Sequence, residues 1–112
     1  MTKAIKKETQ EKITKLQMIE ESLQQYATSI QNLNAQVLEI DSAIAELKNN
    51  NKAYKIAGTI MIEKSSEEIN KELLERKKIV EIRMSSINKQ EEKLKDNFAS
   101  LQTEVMKQLK SE

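Results

Sequence analysis

Leu16, Leu23, Ile30, Val37 and Ile44 stand seven residues apart, and Ile19, Tyr26, Leu33, Ile40 and Leu47 repeat by seven three places later. Large apolar residues therefore fill every a and d position of a heptad repeat over five heptads. That pattern predicts an α-helix with one narrow apolar stripe, which a single helix cannot hide and must press against another. The second half of the chain offers the partner. Leu73, Val80, Ile87, Leu94 and Leu101 form an unbroken d series. The matching a series is Asn70, Lys77, Met84, Glu91, Phe98 and Val105, half of it polar.

Antiparallel helices set a positions against d positions. If facing residues have numbers that sum to 117, every layer of the two stripes meets. Leu16 then faces Leu101, Leu23 faces Leu94, Ile30 faces Ile87, Leu33 faces Met84, Val37 faces Val80 and Ile44 faces Leu73. The centre of that register falls between Gly58 and Thr59, and Gly58 is the only glycine in the chain. Each arm of roughly 45 residues would be about 65–70 Å long at ~1.5 Å per residue. Three layers are mixed: Tyr26 with Glu91, Ile40 with Lys77, and Leu47 with Asn70. Polar a positions cost stability and can set register. Lys77 and Glu91 either extend their charged ends out of a thin seam, or Glu91 accepts a specific hydrogen bond from the Tyr26 hydroxyl.

Between the arms lies "AYKIAGTIMIEK", residues 53–64, two β-prone segments flanking Gly-Thr. Glycine as the first of two central turn residues suits a type II′ hairpin turn. "KNNNK" at 48–52 reads as a helix stop. Ser65 with Glu68 has capping-box spacing for the second helix, with Ser66 as the alternative cap. The expected elements are a helix over about 3–49, a β-hairpin over about 53–64 and a helix over about 66–110, in one domain spanning 1–112. A strict two-residue turn sets Ile56 opposite Met61 and Tyr54 opposite Glu63, away from Ile60 and Ile62. A bulge or a three-residue loop would bring them to one face, and a looser loop around Gly58 is the other alternative. An isolated two-stranded hairpin is marginal in water and leaves both edges unpaired. Tyr54, Ile56, Gly58, Ile60, Met61 and Ile62 are thus the candidate oligomerisation element.

Composition narrows the chemistry. Charged residues make up 33% and aromatics 3% of 112 residues, with no proline, cysteine or histidine. A thick core is not expected from so few aromatics. Thiolate and imidazole chemistry is excluded, and one glycine cannot build a phosphate-cradling loop. Neither a catalytic activity nor a cofactor or metal is expected. Net charge is +1, from 19 basic and 18 acidic residues, which does not suit a nucleic-acid binder. The first fifteen residues are mildly basic, a solvated terminus or a partner site. No apolar run approaches the ~20 residues that span a bilayer. No membrane association and a cytoplasmic location are expected.

Apolar residues off the seam gather in two places. Near the hairpin are Leu38, Ile69, Leu74, Ile79 and Ile82; near the chain ends are Ile13, Met18, Met106 and Leu109. The latter four are the candidate client-binding tip, where Thr9, Lys12 and Gln108 at seam positions suggest fraying; ordinary surface scatter is the alternative.

The stretch "YKIAGTIMIEK" (Tyr54–Lys64) and the run "ELLERKKIVEIRMSSINKQEEKL" (Glu72–Leu94) resemble the prefoldin beta-type subunits. The first arm is similar in pattern only. The resemblance implies a mostly α fold, a long antiparallel two-helix coiled coil joined by one central hairpin that completes a barrel only in the oligomer. It implies a subunit of an ATP-independent hexameric co-chaperone, with two alpha and four beta subunits in the archaeal form. A eukaryotic beta-class paralogue is the other possibility. The implied partners are alpha-type subunits, other beta subunits, unfolded client proteins and a group II chaperonin. A structural coiled-coil scaffold or tether is the competing function.

Overall fold

The computed structural model describes residues 5–111. Four elements follow one another: α1 (Lys7–Leu47), β1 (Lys52–Ala57), β2 (Ile60–Ser65) and α2 (Ser66–Ser111). Residues 3 and 4 of the first expected helix, and Lys3 of the basic terminus, lie outside the described residues. The chain divides into two compact units. One joins the residues through Ile30 with those from Ser86 onward, and the other is Gln31–Ser85.

Every a and d position from Thr9 to Leu47 and from Asn70 to Gln108 is buried or half-buried, while most positions between them are exposed. Heptad spacing under-winds a helix to keep one stripe facing its partner, and this burial pattern is its signature. In the unit that carries the hairpin, Leu33, Ile40 and Val80 are buried. In the terminal unit Val105 and Thr9 are buried. The buried apolar side chains among the described residues are thus few, each worth about 1.5–3 kcal/mol, and the stripe is one side chain deep.

The two polar ends of α1 and α2 near the hairpin are satisfied locally. α1 closes in a tighter turn, with Lys48 N–H donating to Ala45 O at 3.3 Å and Asn50 N–H to Leu47 O at 3.2 Å. Glu46 O accepts from Asn49 N–H at 3.4 Å and from the Asn50 side-chain amide at 3.0 Å, so this end carbonyl is satisfied twice over. Of the two possible caps on α2, Ser65 is used: its Oγ accepts from Glu68 N–H at 3.2 Å. Ser66 ties the two helices at the neck instead, its N–H donating to Asn51 O at 3.2 Å and its hydroxyl to Asn50 O.

β1 and β2 pair antiparallel from Lys52↔Ser65 to Ala57↔Ile60, leaving Gly58 and Thr59 as a two-residue turn. Gly58 has φ +64° and no other residue has positive φ among those described. Positive φ at the first central residue alone is the type II′ pattern. All six pairs have residue numbers that sum to 117. The hairpin thus keeps the sum that the heptads predict for the helices.

Candidate functional site

The strict turn decides the question of faces. Tyr54 lies opposite Glu63 and Ile56 opposite Met61, so these share one face of the ribbon. Ala53, Lys55, Ala57, Ile60, Ile62 and Lys64 share the other. No bulge reunites Tyr54 and Ile56 with Ile60 and Ile62. Both faces carry exposed apolar side chains: Tyr54 59%, Ile56 71%, Ile60 64%, Met61 64% and Ile62 44%. A sheet that hid one face against the chain's own helices would show strict alternation of burial, and this one does not.

The ribbon is held at its root by charge. Glu72, in the second turn of α2, accepts from Lys64 Nζ at 2.9 Å on one carboxylate oxygen and from Lys55 Nζ at 3.3 Å on the other. The two lysines lie diagonally on one face, one on each strand. The hydrogen bond from Lys64, then that from Lys55, holds the Glu72 carboxyl below its ordinary value, and the same bond raises Lys64. Lys52 pairs with Glu63 at 3.4 Å across the ribbon. A groove beside β1 is lined by Tyr54 and Ile56 and by Ile69, Leu73 and Ile79 of α2. Leu38, Leu74, Ile79 and Ile82 nearby are half or more exposed.

The mixed layers resolve differently. Lys77 carries its stem along the seam and its ammonium to Asp41, next to its facing residue Ile40, at 2.7 Å. That hydrogen bond raises the Lys77 pKa. Glu91 pairs with Lys95 one turn along its own helix at 3.4 Å. Among the described residues no hydrogen bond joins Tyr26 to Glu91, so the specific bond is replaced by the extended side chain.

The terminal end departs from expectation. Thr9 and Gln108 do not mark fraying. Thr9 is 1% exposed and its hydroxyl donates to Gln108 Oε1 at 2.9 Å. Lys12 bridges to Glu104 at 3.5 Å and to Glu8 at 3.7 Å. The numbers of Thr9 and Gln108 sum to 117, the register that the heptads predict for this layer. A buried polar group needs its partner, and the facing layer supplies it. Around this closed end Met18 is 62%, Met106 55% and Leu109 40% exposed, and Ile13 is half-buried. Ile5, 41% exposed, belongs with them and was missed by the sequence because it precedes the first clear heptad. Among the described residues no group of three or more acidic side chains is arranged to hold a metal, and no helix is long and apolar enough to cross a membrane.

The family model for the prefoldin subunit matches residues 10–112. The chain belongs to the prefoldin subunit family. It is similar to prefoldin subunit beta of Archaeoglobus fulgidus, 31% identical over 101 residues, covering 88% of this chain and 87% of that one. It is similar also to prefoldin subunit beta of Sulfurisphaera tokodaii, 31% identical over 108 residues, covering 94% of this chain and 86% of that one. Its fold matches the crystal structure of the prefoldin beta subunit from Thermococcus strain KS-1, with TM-score 0.87, 21% identity and coverage of 95% of this chain and 96% of that one. Two long helices joined by one two-stranded hairpin are thus a beta-type prefoldin fold.

Proposed function

We propose that this chain acts as one domain, as a beta-type subunit of an ATP-independent hexameric co-chaperone. Its hairpin joins those of other beta subunits and of alpha-type subunits in a shared β platform, in the ratio of two alpha to four beta. Its terminal end holds unfolded proteins and passes them to a group II chaperonin in the cytoplasm. The reading assigns no catalysis and no cofactor.

The observation that carries it is the hairpin with apolar side chains exposed on both faces, in a chain that belongs to this family. A strand ribbon with both edges open needs strands from elsewhere. A passive turn between two scaffold helices would not need Ile56, Ile60, Met61 and Ile62. Flexible, polarisable methionines at the terminal end suit weak contact with apolar segments of varied shape. One such end binds weakly, and several on one platform gain roughly 10²–10⁴-fold by avidity.

The deciding experiment mixes the chain with an alpha-type subunit and measures native mass. A six-chain species supports the proposal. A monomer or dimer under every condition supports the scaffold reading and ends the assembly role. The hexamer is then tested for suppression of aggregation of a chemically denatured client.

A further inference from the structure

The terminal end combines its apolar side chains with unmatched positive charge. Residues 5–18 and 103–111 contain six lysines against three glutamates. Lys12 is engaged by Glu8 and Glu104. Lys6, Lys7, Lys15, Lys107 and Lys110 are exposed and make no ion pair among the described residues. The unit carrying the hairpin is different. Residues 31–85 balance nine basic with nine acidic side chains; Lys52, Lys55, Lys64 and Lys77 are paired, and the other five basic side chains make no ion pair among the described residues but sit in a neutral field.

Two of the free lysines, Lys15 and Lys110, share faces with the exposed apolar groups. Lys15 and Met18 are three apart on α1. Met106, Leu109 and Lys110 are three and four apart on α2, which makes them neighbours on one helix surface. The arrangement also runs against local stability. Lys6 O accepts the first helical bond, from Gln10 N–H at 3.0 Å, so Lys6 occupies the N-cap position. Small oxygen-bearing side chains are preferred there, and the positive pole of the helix favours acids rather than Lys6 and Lys7. Glu8 is the acid of that first turn and is already engaged by Lys12, so Lys6 and Lys7 add positive charge there, as Lys110 does at the last turn of α2.

We propose that the terminal end selects unfolded segments in which apolar side chains are flanked by acidic ones. This rests on the reading of that end as the client-binding surface. The apolar groups supply contact with little discrimination, and the lysines discriminate by charge. Apolar contact is short-ranged, whereas the exposed lysines act over about 8–10 Å at ordinary salt and less as salt rises. Clients presenting basic flanks would be repelled by the same lysines.

The test uses the assembled hexamer and three synthetic peptides of identical apolar content, flanked by Glu, Gln or Lys, read by fluorescence anisotropy. The Glu-flanked peptide is expected to bind at least about 10-fold more tightly than the Lys-flanked one at low salt, with the advantage collapsing at high salt. Replacing Lys15→Glu with Lys110→Glu should erase or invert the preference while the six-chain mass stays unchanged. Lys15→Gln with Lys110→Gln should give an intermediate preference. Equal binding of the three peptides by the unmodified hexamer overturns the charge selection and leaves the client surface standing. Binding of none of the three, by a hexamer of correct mass, overturns both.

Discussion

The hairpin and the terminal end both expose apolar side chains, but they handle polarity in opposite ways. Around the hairpin every strand lysine has a carboxylate, and Glu72 serves two of them. With charge satisfied, what remains uncovered is apolar surface on both faces and open backbone on both edges. That is a demand for strands of fixed geometry. At the terminal end the seam's polar layer is closed by Thr9 and Gln108, while the lysines outside it are left unmatched. What remains there is methionine, leucine and loose positive charge, with no backbone edge. A surface with strand edges can specify a partner, and a surface without them can only prefer a composition.

The comparison breaks most sharply by exchanging the losses. Ile60→Lys with Ile62→Lys should abolish the six-chain species by native mass while helicity by circular dichroism is largely kept. Met18→Ser with Met106→Ser and Leu109→Ser should leave the six-chain mass unchanged and remove protection of a denatured client. These three side chains lie outside the seam, so the substitutions spare the register in a way that truncation through Val105 and Gln108 would not. If the serine variant still protects clients, client binding lies elsewhere on the molecule.

Within the hairpin unit, two large apolar residues two positions apart separate seam from surface. Ile40 is 6% exposed and Leu38 69%. Ile40→Ala should cost roughly 2–5 kcal/mol in urea unfolding, near the lower end because the seam is thin. Leu38→Ala should stay within about 0.5 kcal/mol for the chain on its own. A larger loss from Leu38→Ala appearing only in the hexamer would show that assembly covers that side of the helix as well.

Much of this was legible in the sequence because heptads and strand registers are discrete. The seam, its antiparallel sense and the sum of 117 followed from where Leu, Ile and Val repeat, and the two-residue turn has the same sum. The polar contacts were harder. Thr9 and Gln108 looked like fraying because each is a poor seam residue taken alone. The signal was available, since their numbers also sum to 117. Lys77 with Asp41, and Glu72 with Lys55 and Lys64, were not legible. A lysine stem reaches several carboxylates at similar cost, and which one it meets depends on the tilt of the ribbon against α2. The choice between Ser65 and Ser66 as cap was likewise made by the neck, where Ser66 is committed to Asn50 and Asn51.

The polar layer gives the next smaller effect. Thr9→Val leaves the Gln108 amide without this hydroxyl in a buried layer, and should destabilise the chain by about 1–3 kcal/mol. Adding Gln108→Leu should restore part of that loss, because both members of this hydrogen bond are then removed. The cost of restoration is expected in register: cysteines at 30 and 87 should crosslink cleanly in the parent chain and less selectively in the apolar double variant. An additive double variant would mean that the two side chains do not act as a pair. At the other pole, Gly58→Ala should cost about 1–2 kcal/mol, from backbone strain at positive φ alone. Nothing lies within 4 Å of where its Cβ would sit, so crowding adds no further loss.

The smallest effect expected is that of the Glu72 bridge, and its pH dependence identifies it. The carboxyl is held below its ordinary 4.5, so its contribution is present above that value and fades as pH falls through the lower folded value. Lys64 is raised above 10.5, so its share is full below that value and is lost as pH rises through the raised one. Glu68 adds weakly to the field on Lys64 in the same direction. The difference in melting temperature between the parent chain and Glu72→Gln should therefore be flat from about pH 5.5 to 9.5 and shrink on either side. It should be small, since Glu72 and Lys55 are exposed, Lys64 is only half-buried, and salt screens them. Its larger consequence should lie in assembly, because the bridge links both strands to α2 while contributing little to folding. Titration of the alpha-type partner into Glu72→Gln should then show weaker six-chain formation than its melting temperature would suggest. A melting difference that persists on the acid side of the lowered folded value, where the carboxyl is protonated in both states, would show that Glu72 acts by packing rather than charge.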